Sequence, residues 1–515
     1  LNAGEAFFPA AVGHSHYVTG DWGIMGTQNY VEAVLSGIGA DPDRVVVRQP
    51  DGAALTAAEL TDLIHGMANA LRDRGVGRGS TVSIMSGNRA EAQAARYAAN
   101  LLGARVVSLY EGMAAETLAV IAADVQTDVL VSDREHAADA EHVADRAGVE
   151  AALTFEDLVR DAPTTPVAPE PVDADEIFCV RHTGGTTGHP KGITLSFGPY
   201  AERLVDPRRP RLPGRMLICT TLAHLAGLMA DSTLCAGGSL ILQAGFDAAA
   251  ALDAVERHRI NLLFLLPSLL YRLTDEQARR PRDTSSLRML VYGGAGSSPV
   301  KLAEAVEEFG PALMQFYGQS EAGMISALGP EDHKRPELLR TVGKPLPGIE
   351  VGIVDADGNR LPTGATGEIV KKATGDTRGY LNNPELTAEV WRDGWVHTGD
   401  VGFLDEEGYL HVTDRLKDMI IVVGGHVYPA EVEDVLLGHP AIADAAVFGV
   451  RDAEGAEQVH AALVLRAELD LDAVRAHVTE RMGRQYAPAG ITVLDAIPLT
   501  DAGKPDKKLL RGRVR

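Results

Sequence analysis

The chain has 515 residues, enough for a large domain and a smaller one. Its 45% hydrophobic, 23% charged composition is that of a soluble globular protein, and no run approaches the roughly 18 apolar residues that cross a membrane. The net charge of −23 disfavours nucleic acid and anionic membranes as partners, so an anionic substrate needs a local site that overcomes the global field.

The opening stretch lacks a basic start and an apolar core, so no secretory signal is expected there. Helical patterns run over Ala57–Asp73 and Arg89–Leu102. Short apolar runs predict strands at Thr81–Met85, Arg105–Leu109, Asp128–Val131, Ile177–Arg181, Leu240–Gln243, Leu262–Leu266 and Met289–Tyr292. Several are apolar on both parities, as strands covered by helices on both faces are. The alternation predicts a layered α/β architecture. The prolines of Ala162–Pro171 mark an exposed connector. After Asp414 the elements shorten: a strand at Met419–Val423, a helix at Pro429–Leu437, strands at Ala445–Val450 and Val459–Leu465, a helix at Leu471–Met482 and a strand at Ile491–Leu494. This reads as a compact α+β unit, with the division expected at 1–414 and 415–515. Cys179, Cys219 and Cys235 lie in apolar stretches without CxxC spacing. They predict buried thiols in a cytoplasmic protein rather than a disulfide framework or a zinc site.

The strongest feature is the run from His182 to Gly192, HTGGTTGHPKG. Its glycines let backbone amides approach an anion, its threonines add hydroxyl donors, and Lys191 supplies a point charge. It is not a P-loop, because Lys191 stands between Pro190 and Gly192. The full string resembles the phosphate-binding loop of the acyl-adenylate-forming superfamily. That superfamily includes acyl- and aryl-CoA ligases, luciferases and the adenylation domains of peptide synthetases; acyl- and aryl-CoA ligases are the most similar. The usual form carries Ser where Gly184 stands.

The resemblance runs from about Leu55 to the end and implies roles residue by residue. Thr183, Gly184, Gly185, Thr186, Thr187 and Lys191 would hold the phosphates of ATP. Tyr292-Gly293-Gly294-Ala295-Gly296 would wall the adenine slot, where backbone without side chains can lie flat on a purine. In Gln315-Phe316-Tyr317-Gly318-Gln319-Ser320-Glu321, Tyr317 would stack on adenine, Ser320 would bond the α-phosphate and Glu321 would hold Mg²⁺. The bland alternative for Glu321 is a solvated charge at a helix start. Asp400 would take both ribose hydroxyls, its bland alternative being a hairpin-turn Asp. Arg415 would reach ribose or phosphate. Lys417 is the implied hinge of a small mobile domain. Lys504, in the C-terminal Gly503-Lys504-Pro505 loop, would escort the attacking carboxylate onto the α-phosphorus.

His224 would sit at the mouth of the acid pocket, with Gly293, Gly318, Gln319 and Met324 as further walls. Small walls with sparse charge suit an apolar or aromatic acid. The expected catalytic set is Lys504, His224, Glu321 and Thr183. Gly424 and Gly425 would border the channel for CoA. There the sequence departs from the family's Ser-Gly-Gly-x-Asn, reading Val422-Val423-Gly424-Gly425-His426. Two β-branched residues stiffen and narrow that stretch. The expected activity is acid plus Mg·ATP to acyl-AMP and pyrophosphate, then transfer to CoA, by a monomer or homodimer. The alternative is an ATP- and nitrite-dependent diazotase acting on an aminoaryl acid.

Overall fold

The computed structural model describes residues 29–109, 113–183, 190–205, 214–375, 377–416, 418–422, 425–451, 457–500 and 504–513. The chain divides into two compact units. One comprises Leu1–Phe264, Arg282–Leu290 and Thr374–Ala388; the other Leu265–Pro281, Val291–Ala373 and Glu389–Arg515.

The first unit carries a seven-stranded sheet. Its order is Thr377–Tyr380, Lys191–Ser196, Ile177–Thr183, Arg105–Leu109, Thr81–Met85, Val129–Ser132 and Ala151–Thr154. The last five run parallel, and the first two join antiparallel. Thr81–Met85 and Val129–Ser132 are buried along their whole length, including the polar Thr81, Ser83 and Ser132, as strands covered on both faces are. Asp128 does not enter its strand, because its carboxylate accepts the Thr81 amide at 2.7 Å. Helix Ala57–Arg72 starts at a full capping box between Thr56 and Glu59, and helix Ala90–Leu101 is buried along most of its length. The same unit holds a second parallel run, Leu262–Leu265, Arg215–Ile218, Ser239–Leu242 and Val45–Arg48, with Ala54–Thr56 antiparallel at its edge. The proline connector is largely exposed yet tied down. The Asn69 amide donates to the carbonyls of Pro163 and Thr165, and His65 Nδ1 accepts the Val167 amide. Cys219 and Cys235 are buried and Cys179 partly so, all as free thiols.

The second unit is built on antiparallel strands. Leu313–Gln319 and Gly323–Leu328 form a hairpin extended by Lys344–Pro345. Val351–Val354, Gly367–Lys372, Trp395–Leu404 and Leu410–Arg415 form a second sheet. Towards the C-terminus, Ile442–Arg451, Glu457–Leu465 and Gly490–Val493 make a three-stranded sheet under helices Pro429–Leu437 and Leu471–Met482. Both helices keep the bounds expected of them, while the strands run slightly longer or shift by a residue or two. Val432, Leu436, Val447, Ala461, Val474 and Val478 form the core of this part. No helix among the described residues is long and apolar enough to cross a membrane.

Two buried charge sites yield predictions. In the first unit Asp231 is fully buried and accepts from Tyr97 Oη at 2.6 Å, Gln93 Nε2 at 2.9 Å, Tyr200 and Arg96. Replacing Asp231 by Ala strands the Arg96 guanidinium and is expected to cost about 3–5 kcal/mol, read by chemical denaturation. In the second unit burial, reinforced by Glu433 and opposed by Arg340, pushes the Asp434 carboxyl up to about 7. Its raised pKa gives stability that is complete below the unfolded pKa and lost as pH rises through 7. Asp434→Asn is therefore expected to gain on the native chain between pH 5 and 8, by on the order of 1–2 kcal/mol in denaturation midpoints.

Candidate active site

The phosphate-loop run closes an antiparallel pair in the first unit. His182 pairs with Gly192 and Thr183 with Lys191. Gly184, Gly185, Thr186 and Thr187 lie outside the described residues, as does the Thr183 side chain. Lys191 opens the return strand, and its ammonium lies 5.6 Å from the centre of the Tyr380 ring on the neighbouring strand, a cation–π contact. Gly192 has little room for a side chain. A Cβ there would come 2.8 Å from Val180 and 3.0 Å from His182 Nε2. His182 is buried, both its ring nitrogens lack a hydrogen-bond partner among the described residues, and burial pushes its pKa down to about 4. It lines a cavity of about 410 Å³ together with Asp124, Lys191, Tyr380 and Asn382.

His224 directly precedes helix Leu225–Cys235. The stretch before it is clamped by Asn88, whose amide donates to the carbonyls of Thr220 and Gln243 and whose Oδ1 accepts the Leu222 amide. In the helix's first turn, a Cβ on Gly227 would overlap the Leu222 carbonyl oxygen. The backbone thus holds His224 in a fixed place at a helix start.

In the second unit the structure brings together Tyr317, Gln319, Glu321, Asp400 and Arg415. Asp400 lies on strand Trp395–Leu404, opposite Arg415 on Leu410–Arg415, and is 3% exposed. It is a buried strand residue, not a hairpin-turn Asp. Its Oδ2 accepts Tyr317 Oη at 2.7 Å and Gln319 Nε2 at 2.6 Å, and its Oδ1 faces Arg415 Nε at 3.1 Å. Burial works against the Arg415 charge, but Asp400, Asp418 and Glu321 outweigh it and raise its pKa. Burial, then Asp400, raises the Tyr317 phenol well above its usual range.

Three expectations change here. The Tyr317 hydroxyl is engaged by Asp400, which gives the residue a polar task besides any stacking. Gln319, expected as a pocket wall, spends its amide on Asp400 and on the Thr398 carbonyl. Glu321 occupies the turn of the hairpin, beside Ser320, and not a helix start.

The expected wall glycines are dictated by neighbouring backbone. A Cβ on Gly293 would overlap the Phe316 carbonyl, and one on Gly318 would overlap that of Gly323. Gly294 has φ +87°, a left-handed value that glycine supplies freely, and Ala295 follows it. Met324 stands opposite Gly318 in the hairpin and is half-buried. Gln315 is buried and turned to structure: its Oε1 accepts Tyr292 Oη at 3.3 Å and its amide donates to Ser297. His333, which no motif announced, meets Tyr292 Oη at 2.9 Å through Nε2.

Lys504 lies in a closed loop. The Thr500 amide donates to the Lys504 carbonyl at 2.7 Å, and Leu499 bridges Pro505. Lys417 and Gly424 fall outside the described residues. Gly425 opens strand Gly425–Val427 and pairs with Val422. Among the described residues no group of three or more His, Cys, Asp or Glu side chains could hold a metal ion. The single Glu321 carboxylate suits a magnesium ion otherwise ligated by phosphate oxygens and water.

The chain resembles several known proteins. The AMP-binding enzyme family matches residues 38–381, and the AMP-binding enzyme C-terminal domain matches residues 431–504. The medium/long-chain-fatty-acid–CoA ligase FadD8 of Mycobacterium tuberculosis is 34% identical over 492 residues, covering 89% of this chain and 86% of that one. A feruloyl-CoA synthase from an Amycolatopsis species is 35% identical over 483 residues, covering 92% and 96%. The amide bond synthetase McbA from Marinactinospora thermotolerans matches in structure with a TM-score of 0.85 at 37% identity, over 95% of this chain and 99% of that one. The chain belongs to the AMP-binding enzymes of the acyl-adenylate-forming superfamily, and is an AMP-forming, acid-CoA ligase-like adenylating enzyme.

Proposed function

We propose that the chain activates a small apolar or aromatic carboxylic acid as its acyl-AMP, releasing pyrophosphate, and passes the acyl group to the thiol of CoA. The observation that carries this reading is the buried Asp400 carboxylate, gripped by Tyr317, Gln319 and Arg415. A carboxylate offers about four acceptor sites, of which three are taken. Binding two ribose hydroxyls requires one internal donor to yield. Gln319 is suited to do so, because it keeps the Thr398 carbonyl as a partner.

In the first step a carboxylate oxygen of the acid attacks the α-phosphorus, the bond to the bridging β-phosphate oxygen breaks, and pyrophosphate leaves. Catalysis is positioning and charge neutralisation. Thr183, Gly184, Gly185, Thr186, Thr187 and Lys191 take the β- and γ-phosphates, and Ser320 the α-phosphate. Glu321 would hold Mg²⁺, which would neutralise phosphate charge. Lys504 meets the oxyanion charge that builds between acid and phosphorus. His224, Gly293, Gly318 and Met324 border the acid. In the second step residues 415–515 turn about Lys417, Gly424 and Gly425 admit the thiol, and AMP leaves. ATP and CoA as substrates suit a cytoplasmic setting. The acids named for FadD8 and the feruloyl-CoA synthase, fatty and aryl, both have apolar bodies.

One observation favours a second acceptor. Val422 and Val423 replace the family's Ser-Gly beside the thiol path, and McbA is an amide bond synthetase. In this reading an amine attacks the acyl carbon of the acyl-AMP, the bond to the phosphate oxygen breaks, AMP leaves, the nitrogen loses a proton and an amide forms.

Pyrophosphate release is to be measured across aryl and fatty acids, each with CoA, with a primary amine, with nitrite plus an aryl amine, and alone. Thioester product is expected in the CoA arm. Amide without thioester replaces CoA by an amine, and release dependent on nitrite would establish the diazotase instead. Lys504→Ala is expected to lower acid-dependent pyrophosphate exchange at least about 100-fold; unchanged exchange removes that lysine from the first step. Asp400→Ala is expected to weaken Mg·ATP binding about 10- to 100-fold in calorimetry, since it removes the ribose acceptor and leaves Arg415 without its partner.

A further inference from the structure

The loop that carries Lys504 is closed on itself. Besides the Thr500–Lys504 and Leu499–Pro505 contacts, the Asp506 amide donates to the Pro498 carbonyl at 2.8 Å. The chain then enters helix Lys507–Arg513, seated by buried Leu510 among Ala446, Phe448, Ala462 and Ile497, and by Arg511 Nε on the Gly449 carbonyl at 3.0 Å. These contacts fix the helix to the three-stranded sheet. They do not by themselves tie the loop to the strand from which the chain turns at Lys417.

Lys507 makes that connection. It begins the helix, three residues after Lys504, and its ammonium lies 3.2 Å from Glu433 Oε1 on helix Pro429–Leu437. The same Glu433 oxygen accepts the Val447 amide at 2.7 Å, so the carboxylate is itself held in place. The ammonium also feels Asp414 and Asp418. Its burial opposes the charge, yet Glu433, Asp414 and Asp418 raise its pKa. Asp414 stands next to Arg415 at the end of strand Leu410–Arg415. Its Oδ2 accepts the Ala430 amide at 3.2 Å in the first turn of the Glu433 helix, and its Oδ1 accepts the Arg415 amide at 2.7 Å. Burial pushes the Asp414 carboxyl up to about 6, and Lys507 is the largest influence pulling it down.

One cation is therefore paired with Glu433, on a helix whose first turn is held to Asp414, at the end of the strand before Lys417, through the Ala430 amide. We propose that Lys507 is a positioning residue for adenylation: paired with Glu433, it fixes the Lys504 loop to the helix that Asp414 anchors at the strand end preceding the hinge. This rests on the adenylating role given to Lys504. Removing the ammonium leaves Glu433 and Asp414 facing each other without a cation. The repulsion then acts on the element that sets where Lys504 stands.

The test is acid-dependent pyrophosphate exchange by the full chain, with the acid from the panel that turns over fastest. Lys507→Met is expected to lower kcat about 10- to 100-fold with the KM for ATP within about threefold, and Lys507→Arg to restore most of it. In a Lys504→Ala background, assayed at high enzyme concentration, adding Lys507→Met is expected to cost less than about twofold, because the two residues act through one step. Unchanged exchange in Lys507→Met, or the same loss in both backgrounds, overturns the proposal. Should Lys507→Met fail to fold, Glu433→Gln carries the same comparison, keeping the shape and the amide acceptor while removing one charge. If Lys504→Ala retains full exchange, the role of Lys504 falls and this inference with it. If Lys504→Ala is impaired and Lys507→Met is not, only this inference falls.

Discussion

A buried carboxylate opposite a partly exposed guanidinium, on adjacent antiparallel strands, organises the second unit. Asp400 and Arg415 are cross-strand partners, and the Asp400 carboxylate would be costly to bury alone. Pairing fixes the register of the two strands. Tyr317 and Gln319 on the hairpin then have one acceptor to converge on, and Glu321 in its turn adds to the field on Arg415. A polar network of this kind positions side chains more tightly than apolar packing, because each donor must meet a lone pair at hydrogen-bond distance and angle. The proposed hinge, Lys417, lies two residues after Arg415, so in the proposed reaction the element that recognises ribose also adjoins the starting point of any rotation.

Much of this was legible in the sequence. Several parallel strands of the first unit appeared as runs apolar on both parities, whereas Val45–Arg48, Ala151–Thr154 and Arg215–Ile218 were not predicted, and Thr81–Met85 and Arg105–Leu109 have the bounds their composition predicts. The two helices of the C-terminal part did so as well, because Pro429 and Asp470 mark their starts. Tyr317, Glu321, Asp400 and Arg415 were named from motif spacing, and the structure places the first on a hairpin strand, the second in its turn and the last two on paired strands.

The polar supports were not legible, and the reason is physical. Gln319, Thr398 and His333 act through partners far along the chain, and no periodicity reports a hydrogen bond of that kind. The Asp434 and Asp444 carboxyls look like ordinary surface acids in the sequence. Their raised pKa values, about 7 and about 6, arise from burial that only tertiary packing creates. Lys507 belongs to the same class. A lysine near a terminus reads as solvated tail until Glu433 and Asp414 are seen beside it.

If Gly293 and Gly318 wall the acid as proposed, their backbone surroundings constrain how acid preference can be retuned. At Gly293 and Gly318 a methyl group would collide with a carbonyl of the next strand, so neither site can be narrowed by simple replacement without moving the sheet. In the proposed reaction, variation in the accepted acid must instead fall on neighbouring side chains such as the half-buried Met324. A library confined to those places explores substrate range while leaving the scaffold's backbone untouched.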